Sequence, residues 1–179
     1  MPPQSARAQS KIHHESTLPR LPWPPAVSVD EAGLYGVSDE ARDAEQTSVS
    51  AAREAVRSGM MLDALGRPID LNVVDRHVKH QNPSASPSEV QTETLEVIRA
   101  SVSDGLFRLG ELSGKPQRFV AWHHSLEHSL QKISHVYVKH YDDPEKWMFS
   151  TWLSLTAKGA ELARSIEEKD IDGYRRKTP

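Results

Sequence analysis

The chain has 179 residues, 12 of them proline and none cysteine, with an apolar share of 37 %. That length holds one ordinary domain plus extra segments, and the lack of cysteine excludes disulfides, thiolate metal sites and cysteine nucleophiles. The formal charge is −3, from 22 basic and 25 acidic residues, and is spread over both halves, which argues against strong nonspecific nucleic-acid binding.

Residues 1–29 form a Pro-rich arm. The run Leu18–Pro25 excludes helix, because proline removes donors and restricts its neighbours, and it favours polyproline II. Trp23, Leu18 and Leu21 are greasy for a spacer, so Trp23 is a candidate anchor for a protein partner. The first residues lack the apolar core of a signal peptide, and no apolar run approaches the roughly 18 residues that span a bilayer. No membrane partner and a cytoplasmic location are the corresponding expectations.

Residues 30–81 read as a helical segment. Ser38 is placed to cap a helix to Met61, with Ala52, Val56 and Met60 in a four-residue row. Ile69–Val78 suits a strand or a short helix equally. Residues 82–88 are linker-like by composition, and a domain boundary is expected there. A helix from Ser88 then places Leu95, Ile98 and Val102 inward and closes at Asp104-Gly105. Leu106–Leu112 and Arg118–Trp122 are strand candidates around the turn Ser113–Pro116.

Ser125 opens the clearest helix, with Leu126, Leu130, Ile133 and Tyr137 on one face. The stretch after His135 suits helix or strand. Asp142–Lys146 is expected to be a turn. Trp147–Leu155 alternates as a strand, with Trp147, Phe149, Leu153 and Leu155 on one face and Met148 and Trp152 on the other. Met148 and Trp152 therefore join Trp23 as candidate contacts for a protein. Thr156 can cap a last helix to about Glu168, with Ala163 and Ile166 inward, and residues 169–179 read as a polar tail.

The junction Leu155-Thr156-Ala157-Lys158-Gly159-Ala160-Glu161-Leu162, after a helix, strand, helix and Asp-Asp-Pro turn, resembles a winged-helix domain over residues 89–168. The resemblance implies an α+β fold in which the Thr caps the helix and the Gly lets helix and strand approach. It also implies that Ser125–Lys139 enters a DNA major groove while a wing at Asp142–Lys146 meets the backbone. Lys132, Lys139 and Lys146 would then contact DNA. The chain departs from that pattern twice. No separate short helix fits between Leu112 and Ser125, and the groove helix is poorly basic.

His124-Ser-Leu-Glu-His128 matches the H-x-x-E-H pattern of inverted zinc peptidases, which would make His124 and His128 ligands and Glu127 a base. Few residues follow it, and these His lie opposite the apolar face of their helix, as solvent-side residues do. No phosphate-binding glycine loop and no serine-hydrolase elbow occurs. The expectation is an α+β fold: a small winged-helix-like C-terminal domain, a helical N-terminal segment and the Pro-rich arm. The expected function is non-enzymatic protein binding of a regulatory, antitoxin or immunity-protein type, without a cofactor. A DNA-binding regulator is the alternative, and a zinc hydrolase the remote one.

Overall fold

The computed structural model describes residues 39–177. Trp23 and the arm at 1–29 lie outside them. Helix α1 spans Asp39–Asp63. Its inward row is the expected one, with Val56 and Met60 buried and Met61 beside them. Arg53 pairs with Glu93 at 2.6 Å and Arg57 with Asp104 at 2.8 Å. These pairs join α1 to the third helix and its cap.

Ile69–Val78 is strand and helix in turn. Strand β1 is only Ile69–Asp70, and helix α2 follows at Leu71–Gln81. The switch sits at Asp70, whose carboxylate accepts the Val73 N–H at 3.2 Å. A side-chain acceptor for an otherwise unpaired N–H starts a helix there. Helix α2 buries Leu71, Val74, Asp75 and Val78, one stripe at helical spacing.

Helix α3 spans Pro87–Ser103 and starts with a capping box. Ser86 Oγ accepts the Glu89 N–H, and the Glu89 carboxylate accepts from the Ser86 N–H and hydroxyl, each at 2.7 Å. The same bonds lower the Glu89 pKa. The buried row is Val90, Thr94, Val97, Ile98 and Ser101; Leu95 and Val102 sit at its rim and not at its centre. Gly105 then takes a φ of +70, the left-handed conformation that lets the chain leave the helix.

Strands β2 (Phe107–Ser113) and β3 (Arg118–Ala121) form the expected hairpin. Helix α4 runs Leu126–Tyr137, capped by Ser125, and buries Leu130, Ile133 and Tyr137 as its periodicity predicts. The chain after Tyr137 is turn and not strand, and Val138 is exposed.

The largest correction falls on 142–151. Asp142–Lys146 is no hairpin tip, because helix α5 occupies Pro144–Trp147. Only Trp152–Leu155 forms strand β4. Pro144 supplies a helical φ at the first position, where a missing N–H costs nothing. The turn places the Trp147 indole inside, where its N–H donates to the Tyr141 carbonyl at 3.2 Å. Trp147 is thus buried by a helical turn, not by strand alternation, and Phe149 does not share its face.

Helix α6 spans Ala157–Lys177 and takes up most of the stretch expected to be a polar tail. Thr156 Oγ1 accepts the Gly159 N–H at 3.0 Å and donates to the Gly105 carbonyl at 2.6 Å. The cap at Thr156 and the close approach at Gly159 are as expected.

The sheet is antiparallel, in the order β1-β4-β2-β3. Leu109 pairs with Leu153, and Ile69 with Leu153 on its other side. These residues, with Phe107, face the helices. One buried cluster runs from Val56 to Ala163 and draws on α1, α2, α3, α4, α5, α6 and the sheet. The boundary expected at 82–88 therefore separates no two cores: that segment is a short connection between helices packed in the same cluster. The fold is α+β and mostly helical. No helix among the described residues is long and apolar enough to cross a membrane.

Candidate binding surface and the network behind it

Strand alternation gives the sheet a second face, turned away from the helices. The register puts Asp70, Trp152, Gly110 and Ala121 side by side across it. Arg108 and Ser154 form the next row on one side, and Leu112 and Phe119 on the other. A Cβ on Gly110 would lie 2.7 Å from the Phe119 ring and 2.2 Å from the Val120 carbonyl. The missing side chain lets the Phe119 ring lie across the strand.

Phe149 completes this face. It is 61 % exposed and stacks on Trp152, with ring centroids 6.2 Å apart and planes 17° from parallel. Trp152, Phe119 and Leu112 are half-buried. Two rings thus stack on this face, and Phe119 lies on the same face across Gly110. Exposed large apolar side chains in a contiguous patch mark an interaction surface more often than an accident of sequence. Trp152, expected to face outward, does so. Met148 is half-buried and packs on the core, so it contributes little to this face. Nothing in the sequence around Phe119 or Arg108 marks them for this face. Their place follows only once β2 and β3 are registered on β4.

Behind the sheet lies a polar network. Asp75 is 2 % exposed and accepts hydrogen bonds from Tyr137 Oη at 2.6 Å and Tyr141 Oη at 3.2 Å. Its other oxygen meets Lys79 Nζ at 2.7 Å, one helical turn on. Thr94 Oγ1 lies 3.2 Å from Tyr137 Oη, where its hydroxyl can donate to the phenol oxygen. Trp147 packs edge-on against Tyr137 and parallel to Tyr141. Burial, then the Asp75 carboxylate, raises the Tyr137 pKa far above the usual tyrosine range. Burial raises Tyr141 as well, against the pull of Lys79. Burial pulls the Lys79 ammonium down, but its bonds to Asp75 and Tyr141 win and raise it.

Both phenols therefore stay protonated near neutrality and act as donors to one carboxylate. The arrangement positions α2, α3, α4 and α5 against one another. Tyr137→Phe removes the shortest bond to Asp75 while keeping the ring. A loss of about 1–3 kcal/mol is expected, the cost of an underbonded buried acceptor, and urea unfolding measures it.

The remaining candidates are scattered. Lys132 Nζ lies over the Trp122 ring, 3.9 Å from its centroid. Lys146 pairs with Asp143 at 2.8 Å. Lys139 is exposed just beyond α4. Helix α5 occupies the stretch expected to be the wing. His124, His128 and His135 are exposed, as their helix position predicted. His124 lies before the helix, with its ring centroid 4.7 Å from that of His128. Glu127, the base in the zinc reading, is held by Arg99. Among the described residues no group of three or more His, Cys, Asp or Glu is placed to hold a metal.

Comparison with protein-family models, with curated proteins and with solved structures finds no match to this chain in any of the three.

Proposed function

We propose that the chain is a non-enzymatic protein-binding module, and that its contact surface is the outer face of the sheet. The observation that carries this reading is the exposed Phe149 stacked on the half-buried Trp152, on the sheet face that also holds Phe119. Aromatic anchors of this kind supply most of the energy at protein interfaces, because they bury large area at small entropic cost.

The test is capture from a lysate of the native host, using the full chain and a Phe149→Ala/Trp152→Ala double variant as baits. The wild type is expected to retain a stoichiometric protein that the double variant loses by about 30-fold or more, the effect of removing an interface hot spot. Both baits should melt at similar temperatures. Equal capture by both would sink the reading.

A winged-helix DNA-binding regulator is the second reading. It is supported by the β4–α6 junction, where Thr156 caps and Gly159 permits close approach. It is weakened by Lys132 and Lys146, which are engaged within the protein. A low-salt gel shift with no retarded species would remove it.

A further inference from the structure

We propose that an extended segment of a partner protein adds to the sheet as a short strand along the open edge of β2, at Phe107–Leu109. This rests on the protein-binding reading and names how the ligand's backbone is held. It starts from an incomplete pairing. Strand β2 runs Phe107–Ser113, but β3 covers only its second half, from Gly110 opposite Ala121 to Ser113 opposite Arg118. One further bond, from the Trp122 N–H to the Leu109 carbonyl at 2.9 Å, ends the ladder. The chain then leaves the sheet for α4.

Alternate residues of an antiparallel strand aim their peptide groups at opposite neighbours. The Leu109 carbonyl aims at the β3 side, so the Leu109 N–H and both polar groups of the Phe107 backbone do as well. Leu106 aims the other way, and its carbonyl accepts the Thr156 N–H at 2.9 Å beside β4. Among the described residues, no partner meets the Phe107 N–H, the Phe107 carbonyl or the Leu109 N–H. Nor are these solvated rim residues: Phe107 is 2 % and Leu109 6 % exposed. Buried backbone groups are almost always paired, and leaving one unpaired is costly.

The space in front of them is open. A cavity of about 330 Å³ lies against this edge, with Val102, Trp122 and Leu126 among its walls and Arg108 and Ala121 on the side of the outer face. A strand added there would lie about 4.8 Å from β2, and three of its residues, about 10 Å, would match the open stretch. It would donate to the Phe107 carbonyl and accept from the N–H groups of Phe107 and Leu109. An apolar side chain on its inner side would meet Val102, Trp122 and Leu126. Its outward side chains would continue the face that carries Phe149 and Trp152. Water would pair with the three backbone groups but not with the apolar walls. A polypeptide carries N–H and C=O at strand spacing together with such a side chain, which is the chemistry of strand addition.

Peptide selection on the full chain tests this. A phage library of random linear dodecapeptides is panned on it, and the strongest ligand is synthesised. With that peptide bound, amide hydrogen exchange read by NMR should slow about tenfold or more at Phe107 and Leu109, which gain partners. It should slow much less at Arg108, whose N–H already faces β4. Val102→Phe, which puts a ring into the cavity, should weaken the peptide about tenfold or more by anisotropy, with the variant's fold checked by its melting curve.

The exchange measurement uses the unaltered chain, so it decides even if that variant fails to fold. No peptide above background overturns the proposal. So does exchange that leaves Phe107 and Leu109 unchanged or slows Arg108 equally, and so does full affinity in folded Val102→Phe. A best ligand matching a segment of this chain overturns it in favour of a second copy. The two readings fail separately. If Phe149→Ala/Trp152→Ala loses the lysate partner while the peptide leaves Phe107 and Leu109 unprotected, the outer face stands and strand addition falls. If the peptide protects both amides and the double variant still captures the partner, strand addition stands and the outer face falls.

Discussion

Trp147→Ala is expected to destabilise the protein by about 3–5 kcal/mol, the range for truncating a large buried aromatic. The indole is buried and is held on three sides by contacts the structure makes explicit. Its ring lies 4.8 Å from Tyr137 and 6.0 Å from Tyr141, centroid to centroid, and its N–H donates to the Tyr141 carbonyl. Removing it leaves a cavity beside the two donors that satisfy Asp75. The effect is large against the roughly 5–15 kcal/mol that holds a domain of ordinary stability. Urea unfolding measures it directly. A loss below about 1 kcal/mol would mean that the aromatic cluster is not the keystone of the α4–α5 corner. The comparison with Trp152 is informative, since the same residue type sits there on the open side of the sheet. Trp152→Ala should cost much less stability and most of the binding.

Gly159→Ala is the second large effect expected, and its sign depends on geometry. On propensity alone alanine is the better helix residue, by about 1 kcal/mol. The added methyl, however, would lie 2.1 Å from the Leu106 carbonyl oxygen and 2.9 Å from Leu155 Cδ2. That carbonyl accepts the Thr156 N–H at 2.9 Å, so moving it disturbs the cap of α6 as well as β2. Overpacking of this kind costs about 1–3 kcal/mol, and backbone against backbone belongs at the upper end. The net expectation is a clear loss in melting temperature. Unchanged or higher stability would show that α6 can slide away from β2 without penalty. Alanine at the exposed Gly66 meets no atom within 4 Å but takes a φ of +85, so strain and not crowding would act there.

Both predictions rest on the segment where sequence reading did best and worst. The Thr156–Gly159 junction was legible because its features are local. A hydroxyl that caps and a residue that lacks Cβ are properties of single positions. Ten residues earlier the reading of Trp147–Phe149 as strand went astray. Alternation of large apolar residues fits a strand, but Pro144 and the preceding aspartates permit a helical turn equally well. What decides is that Tyr137 and Tyr141 offer the indole a buried site and a carbonyl partner. Those groups sit on another element, so no window of sequence contains the choice.

The candidate surface divides in the same way. Trp152 was visible as an outward aromatic from its strand alone. Phe119, Gly110 and Arg108 were not, because their grouping depends on the pairing of β2 with both β3 and β4. Phe149 reaches Trp152 only because α5 redirects the chain before β4 begins.

The helices with strong apolar periodicity, their caps at Ser125 and Thr156, the β2–β3 hairpin and the absence of cysteine chemistry are legible in the residues alone. Each follows from interactions within a few residues, where propensity, capping and alternation act without help. The tertiary structure alone decided that residues on both sides of 82–88 share one core. It also decided that Asp75 is buried against two tyrosines, and that aromatics from separate segments meet on one face of the sheet. Those outcomes depend on contacts between residues dozens of positions apart, such as Asp75 with Tyr137. Long-range pairing of this kind leaves no periodic trace in the chain, because burial and hydrogen bonding are satisfied only once the elements are packed together.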